Sequence, residues 1–413
     1  MQNAFRKPEL LLPAGSPDVL RTAIDYGADA VYLGGEAFGL RAMAKNFSAE
    51  EMAEGIAYAH ARGKKVYVTV NILAHNEDLA AAERYFGELS QIRPDALIIS
   101  DPALFMAAKR ICPEIDLHIS TQANNTNYGT FLFWHELGAK RVVAARELSL
   151  KELAEIRSRI PEDMEIEAFV HGAMCISYSG RCLLSSFLAG RDANRGACAH
   201  PCRWKYALVE EKRPGQYIPV EEDERGTYIF NSKDLCMIGH IPELCEAGIR
   251  SFKIEGRMKT ALYAAVTARS YRKAIDDWFR DPALYREHLP LYEEEISKCT
   301  YREFTTGFYF GKPDSSAQIY DSNTYVRSWT YLGTVERTDE EGRACFRQKN
   351  KFCVGDTVEI MKKDFRNVSS LVRGIRNDAG EDMESAPHPL EELRVLMDPA
   401  PEPGDLIRME TKE

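Results

Sequence analysis

Short apolar runs bounded by turn residues recur along the first 260 positions, and polar segments with a helical period lie between them. Several of the intervening segments, such as 16–27 and 48–63, begin with serine and end with glycine, which is typical of capped helices. Eight strands are predicted in this way, at 8–15, 30–35, 65–71, 96–100, 116–121, 141–145, 165–172 and 251–257.

Strands that alternate with helices indicate an α/β fold with a parallel sheet. Eight such units predict a (β/α)₈ TIM-like barrel, and the continuous apolar character of the runs is expected of strands covered on both faces. A doubly wound open sheet also alternates strands with helices. The number of units favours the barrel.

The connection between the seventh and eighth predicted strands is much longer than one loop and one helix require. We therefore predict a barrel domain over 1–285, with a large insertion after strand seven at 173–250. A helical linker is expected at 286–324. From 325 to 413 the apolar positions alternate with polar ones, and Gly, Asp and Asn mark the turns, which predicts a small C-terminal β-barrel domain.

Half of the ten cysteines lie in the predicted insertion, among Gly, Ser, Arg and Pro. They are Cys175, Cys182, Cys198, Cys202 and Cys236. The other five stand among apolar neighbours and are interpreted as small buried hydrophobes. Loops that follow barrel strands form the face on which barrel enzymes place their active sites, so these thiols are expected where chemistry takes place.

Four thiolates can bind a tetrahedral zinc ion or an iron–sulfur cluster. The usual zinc pattern has two closely spaced cysteine pairs, whereas only Cys198 and Cys202 are close here. Wide spacing favours an iron–sulfur cluster held from several loop segments. Zinc and unligated thiols remain as alternatives.

The formal net charge of −10 excludes a surface coated in positive charge for unspecific nucleic-acid binding, but it leaves room for local basic patches. Three basic segments are candidates, at 191–206, 250–273 and 362–374, and solvated surface charge is the alternative for each. No apolar run has the length of a membrane helix or a signal peptide, so we expect a cytoplasmic protein with no membrane contact. In a reducing cytosol, clustered thiols favour metal or redox roles over disulfides.

The segment EAFVHGAMCISYSGRCLLS (167–185) resembles the characteristic motif of peptidase family U32, the collagenase-like peptidases. RGACAHPCRW, NSKDLC, SFKIEGRMK and LLPAGSPDVLRTAIDYGADAVYLGG resemble further blocks of that family, and the resemblance covers essentially the whole chain. It implies a TIM-like barrel. The resemblance is strongest to the branch of the family that makes tRNA 5-hydroxyuridine.

That branch implies a [4Fe–4S] enzyme that hydroxylates the wobble uridine of tRNA without dioxygen, with prephenate as hydroxyl source. The implied cluster ligands are Cys175, Cys182, Cys198 and Cys236, and Cys202 could take the place of Cys198. A paralogous family member is an implied partner. The alternatives are a collagenase-like peptidase and a non-catalytic subunit that presents RNA to a hydroxylase partner.

Polar residues near the predicted strand ends are candidates for the remaining chemistry. His171, Glu147, Glu255 and Arg257 are the catalytic candidates, and Asn71, Gln122, Lys253 and Arg257 are the substrate-binding candidates. Lys253 and Arg257 could clamp a carboxylate, and His171 or Glu147 could move protons. For a peptidase, neither H-E-x-x-H nor G-x-S-x-G is present, and a Cys175–His171 pair is the remaining option.

Overall fold

The computed structural model describes residues 5–39, 46–175, 177–204, 208–209, 217–218, 231–313, 318–319 and 325–411. These residues form two compact units. The first comprises the described parts of Met1–Arg21, Asp29–Lys259 and Arg302–Tyr325. The second comprises Thr22–Ala28, Thr260–Tyr301 and the described part of Val326–Glu413.

Seven parallel strands in chain order build most of the sheet of the first unit. They are β1 (Glu9–Pro13), β2 (Ala30–Gly34), β3 (Lys65–Val70), β4 (Ala96–Ile99), β5 (Asp116–Ile119), β6 (Arg141–Val143) and β7 (Glu165–Ala173). Nearly every residue of these strands is buried. Because neither face of the sheet meets water, the strands appear in the sequence as continuous apolar runs.

Helices alternate with these strands. They are α1 (Pro17–Asp25), α2 (Ala49–His60), α3 (Leu79–Ile92), α4 (Pro102–Ile111), α5 (Tyr128–Glu136) and α6 (Leu150–Arg159). Ser48 and Glu51 form a capping box at the start of α2, in the segment that was predicted to begin with a serine cap, and Asp101 caps α4 by accepting from two backbone N–H groups. The local sequence therefore indicates where these helices begin.

The insertion after β7 contains α7 (Leu184–Ala189), β8 (Leu208–Val209), β9 (Tyr217–Ile218), β10 (Asn231–Ser232), β11 (Asp234–Cys236) and α8 (Ile241–Glu246). Strand β12 (Ser251–Ile254) follows and pairs in parallel with both β7 and β1. This double pairing closes the eight-stranded barrel. The predicted barrel is confirmed, and the open-sheet alternative is wrong.

After the barrel the chain forms α9 (Ala261–Arg280), α10 (Pro282–Ser297), β13 (Phe304–Thr305) and β14 (Gln318–Ile319). Strand β13 extends the barrel sheet beside β11, and β14 pairs with β10. Among the described helices, none combines the length and the hydropathy needed to cross a lipid bilayer.

The C-terminal strands form an antiparallel all-β domain, which confirms the predicted change of fold class after the barrel. They are β15 (Trp329–Thr334), β16 (Arg337–Thr338), β17 (Ala344–Arg347), β18 (Phe352–Cys353), β19 (Thr357–Met361), β20 (Asn367–Arg376), β21 (Asp382–Met383), β22 (Ser385–Ala386), β23 (Glu392–Asp398) and β24 (Leu406–Glu410). The main sheet has the order β15-β24-β19-β20-β23-β17-β16. Its alternating buried residues, such as Leu393, Val395 and Met397 on β23, form a separate apolar core.

Candidate functional site

The five insertion thiols follow the C-terminal end of β7. Cys175 is exposed, and Cys182, Cys198, Cys202 and Cys236 are partly exposed. All ten cysteines lie among the described residues, and none forms a disulfide. The other cysteines are mostly buried, and burial raises the pKa of Cys112 to about 11 and that of Cys245 to about 12. The insertion therefore holds the accessible thiols of the first unit.

A salt bridge ties the insertion to the loop that follows β3. Arg195 donates from Nη1 and Nη2 to the two carboxylate oxygens of Asp78, at 2.8 and 2.9 Å. In the same region the backbone N–H of Leu73 donates to the carbonyl oxygen of Asn194. The segment before Cys198 is thus held at the mouth of the barrel, where the carboxyl ends of the strands lie.

A second close approach joins the insertion to the loop after β5. Gly180 has a φ of +73°, and a Cβ atom there would lie 2.3 Å from Oε1 of Gln122. Any side chain at position 180 would clash with Gln122, so glycine allows this contact. Cys182 follows two residues later. The thiol segment therefore lies over two strand ends.

The individual thiols have different surroundings. The backbone N–H of His200 donates to Sγ of Cys198 at 3.4 Å. Cys236 lies on β11, opposite His171 of β7. Within the described part of the chain, no three His, Cys, Asp or Glu side chains come together as a group that could hold a metal ion.

Arg257 lies where the chain leaves β12 and is buried. Its Nη1 donates to the Thr69 hydroxyl at 3.0 Å, at the end of β3. Asn71, two residues further, donates to the hydroxyl of Ser120 at 3.3 Å. These contacts place two predicted candidates, Arg257 and Asn71, at one rim of the barrel.

Glu255 lies on the same rim and is held by Tyr32, whose hydroxyl donates to its Oε2 at 3.3 Å. Arg146 is 3.8 Å from the same carboxylate oxygen and donates to the carbonyl oxygen of Ala173 at 2.7 Å. Its guanidinium also lies 3.8 Å from the centroid of the Phe169 ring. Arg146 therefore connects Glu255 to the start of the thiol segment.

Gln122 follows β5 and Glu147 follows β6, both beyond the carboxyl ends of their strands. Oε1 of Gln122 and Oδ1 of Asn124 are buried atoms without a hydrogen-bond partner, so the loop after β5 retains hydrogen-bonding capacity. Burial raises the pKa of Glu147. A carboxyl group with a raised pKa is suited to proton transfer near neutral pH.

Lys253 lies inside the barrel rather than at its mouth. Its Nζ donates to Oε1 of Glu167 at 2.7 Å and lies 4.5 Å from the centroid of the Tyr32 ring. Glu167 also pairs with Arg141, which in turn binds Glu9. Burial acts to raise the pKa of Glu167, but the charges of Lys253 and Arg141 outweigh it and the pKa is lowered.

His171 is almost completely buried, near Phe304. Burial and the positive charge of Lys259 lower its pKa to about 3, so the ring is neutral at physiological pH. A base with so low a pKa removes a proton from a thiol or hydroxyl poorly. His171 therefore lies next to the thiol segment, but its low pKa makes it a poor general base.

Most of the predicted basic patches are taken up by internal contacts. In 250–273, four side chains form ion pairs: Lys253 with Glu167, Arg269 with Glu295, Arg272 with Asp276 and Lys273 with Asp277. Arg250 donates to the carbonyl oxygen of Arg6, and Arg257 donates to the Thr69 hydroxyl. Lys259 lies over the ring of Tyr325. In 362–374, Lys362, Lys363, Arg366 and Arg373 are paired with Asp405, Asp25, Asp364 and Asp398. Lys205 and Tyr206 lie outside the described residues.

Two residues that hold the site together, Arg146 and Asp78, were not predicted from the sequence. Arg146 lies three residues after the end of β6 and directly follows the predicted strand 141–145, so its position in the sequence was enough to select it. Asp78 precedes α3 and pairs with Arg195, 117 residues later, a contact that no local pattern contains.

The chain is similar to known proteins along nearly its whole length. Residues 15–319 match the profile described as peptidase family U32, and 327–408 match the peptidase family U32 C-terminal domain. The chain is 38% identical to tRNA hydroxylation protein P1 of Bacillus subtilis over 98% of its own length and 95% of that protein. It is 35% identical to tRNA hydroxylation protein P2 of the same organism, over 74% and 98%. An uncharacterized protease of Methanocaldococcus jannaschii is 45% identical over 89% and 90%.

Proposed function

The chain belongs to peptidase family U32, and we propose that it is an enzyme that hydroxylates RNA, forming 5-hydroxyuridine at the wobble position of tRNA. The observation that carries the proposal is the gathering of accessible thiols over the polar mouth of the barrel, in a chain similar along nearly its whole length to a tRNA hydroxylation protein. A location in the cytoplasm is part of the proposal, since reduced thiols and tRNA occur there.

The cofactor that we propose is a [4Fe–4S] cluster held by Cys175, Cys182, Cys198 and Cys236, with Cys202 as the alternative to Cys198. The donor chemistry fits, because these thiols are outside disulfides and Cys198 already accepts a backbone N–H bond. They are not converged in the described residues, so cluster binding would draw the insertion together. A bound cluster supplies electron transfer or Lewis-acid chemistry.

Prephenate is the hydroxyl source that we propose, in place of dioxygen. Its carboxylates require cationic groups and hydrogen-bond donors, and the guanidinium of Arg257 and the side-chain NH₂ groups of Asn71 and Gln122 are the donors that we propose at the rim. Lys253 is committed to Glu167, so the carboxylate contacts would fall to Arg257 and to Arg146. Glu147 and Glu255 are the groups that would hold or move a proton there.

The cofactor is tested by anaerobic purification with iron, sulfide and zinc analysis and an absorption spectrum. Cys182→Ser and Cys236→Ser should lose iron, whereas Cys353→Ser, in the C-terminal domain, is the matched control that keeps it. Comparison of Cys198→Ser with Cys202→Ser identifies the fourth ligand. A colourless protein with stoichiometric zinc contradicts the cluster.

The reaction is tested by mass spectrometry of tRNA nucleosides from a strain that lacks this chain and its paralogues. We expect loss of 5-hydroxyuridine derivatives, restored by the wild-type chain and not by Cys182→Ser. Growth without dioxygen should leave the modification in place, and interruption of prephenate synthesis should remove it. Unchanged nucleosides in the deletion strain contradict the proposed reaction.

A paralogous family member is the protein partner that we propose, since Bacillus subtilis has both a P1 and a P2 protein. If the chain only presents RNA to that partner, Glu147→Gln and Glu255→Gln will leave 5-hydroxyuridine formation unchanged. If it is catalytic, both substitutions will lower the rate in the purified pair.

A collagenase-like peptidase is the second candidate, favoured by similarity to the archaeal protease. The buried, neutral His171 is a poor activating base for Cys175, which weighs against a cysteine peptidase. Cleavage of gelatin by the pure protein, abolished by Cys175→Ala, would establish this activity.

A further inference from the structure

The thiol-rich segment 173–204 presents its aromatic rings to solvent. It contains three aromatic residues, Tyr178, Phe187 and Trp204, and they are 46%, 86% and 46% exposed. Leu183 and Leu188, on either side of Phe187, are exposed as well. Large apolar side chains exposed together in this way mark an interaction surface.

The rings are placed by neighbouring parts of the segment. Phe187 lies on α7, which packs against the 3₁₀ turn Pro201–Arg203 that precedes Trp204. The backbone N–H of Ala199 donates to the Ser185 hydroxyl at 3.0 Å, which joins the two elements. Folding therefore holds α7 and the turn together while Phe187 and Trp204 stay outside.

The charge of this segment is opposite to that of the chain. Residues 173–204 contain four arginines and one aspartate, whereas the whole chain has a net charge of −10. Asp192 is already used to accept the backbone N–H of Asn194. Arg181 is exposed, and neither Arg181 nor Arg191 has an ion pair with a described residue. Among the described residues, Arg181 and Arg191 are therefore cationic side chains of this segment that are not used in an ion pair, whereas Arg195 pairs with Asp78.

We propose that the exposed aromatic side chains of residues 173–204, together with Arg181 and Arg191, are the surface on which an unpaired stretch of the RNA substrate docks. Aromatic rings stack on unpaired bases, and arginines meet the phosphates between them. A duplex buries its base faces and cannot use the rings, so the surface selects a single-stranded loop. The inference rests on the proposed function and adds the site and the form of RNA that it accepts.

The test measures binding of a fluorescein-labelled anticodon stem-loop RNA by anisotropy. Phe187→Ala and Trp204→Ala should each weaken binding about tenfold, as expected for the loss of one stacked base. Phe187→Trp should retain affinity. Phe133→Ala, which removes an exposed ring from α5, is the matched control and should bind as the wild type does.

Two further readouts separate stacking from unspecific attraction. A uridine-rich single strand should compete with the labelled RNA, and a duplex of the same length should not. Arg181→Gln should reduce the salt dependence of binding by about 0.7 in the log–log slope if it contacts one phosphate. RNA should quench the fluorescence of Trp204, and Trp204→Phe should lose this quenching while retaining most of the affinity.

The outcomes separate the docking surface from the reaction. If the wild-type chain restores 5-hydroxyuridine and both alanine variants bind and modify RNA equally well, the docking surface is refuted and the proposed function stands. If these variants lose association with the paralogous chain in sedimentation while RNA binding persists, the surface is a protein interface instead. A wild-type chain that neither binds nor modifies RNA contradicts both proposals.

Discussion

At the scale of single residues, burial decided what the charged side chains do. Lys253 and Arg257 are four positions apart, and the sequence suggested that both bind a carboxylate. The structure places Lys253 against Glu167 inside the barrel and Arg257 beside Thr69 at its rim. A buried charge needs a partner, because an unpaired ion in the interior loses its hydration without compensation. Lys253 is therefore structural.

Lys253→Met should destabilise the first unit by about 3 kcal/mol. The substitution removes one of the two positive charges, those of Lys253 and Arg141, that neutralise the buried carboxylate of Glu167. Urea unfolding measures the change in the free energy of unfolding. The matched control is Arg110→Met, which breaks the exposed Arg110–Glu83 pair and should cost less than about 1 kcal/mol. Equal decreases in the free energy of unfolding for the two variants would contradict a larger contribution of the buried Lys253–Glu167 pair.

At the scale of elements, the insertion is positioned by contacts that cross the sequence. Strand β7 is longer than the other barrel strands, and its last residues, His171 to Ala173, pair with β11 of the insertion. The Arg195–Asp78 salt bridge fixes a second point. Short strands and loops with few buried apolar residues depend on such anchors for their order.

Arg195→Gln should free the segment around Cys198 without changing global stability by more than about 1 kcal/mol, because the salt bridge is partly exposed. Hydrogen exchange should become faster in 184–204 and in the loop after β3, and remain the same in the barrel strands. Arg159→Gln, which breaks the exposed pair with Glu155, is the control. Uniform exchange in wild type and variant would contradict the anchoring role.

At the scale of the whole molecule, the free energy of unfolding depends on pH because two buried histidines are neutral in the folded protein. His118 is fully buried against Tyr67, and burial together with the charges of Arg141, Lys253 and Lys65 lowers its pKa well below 6.5. The unfolded chain therefore binds more protons than the folded chain below pH ~6.5, and the stability falls as the pH drops through that range. His171, with a pKa of about 3, acts in the same direction.

His118→Phe should retain the ring contact with Tyr67 and remove one of these protonation sites. The slope of the free energy of unfolding against pH, between pH ~6 and ~4, should decrease by up to about 1.4 kcal/mol per pH unit. His388→Asn is the control, because an exposed histidine meets similar solvent in both states. Denaturant unfolding at several pH values gives the slopes, and an unaltered slope in His118→Phe would contradict the assignment.

The sequence by itself determined the barrel, the change to an antiparallel β domain, the capped helix that begins after Ser48, and the concentration of thiols after strand seven. These features depend on local periodicity and on residue type. Only the tertiary structure decided that Lys253 is paired, that His171 is neutral and that Arg195 binds Asp78. Each of these depends on residues far apart in the chain, and closure of the barrel sets their distance and their exclusion from water.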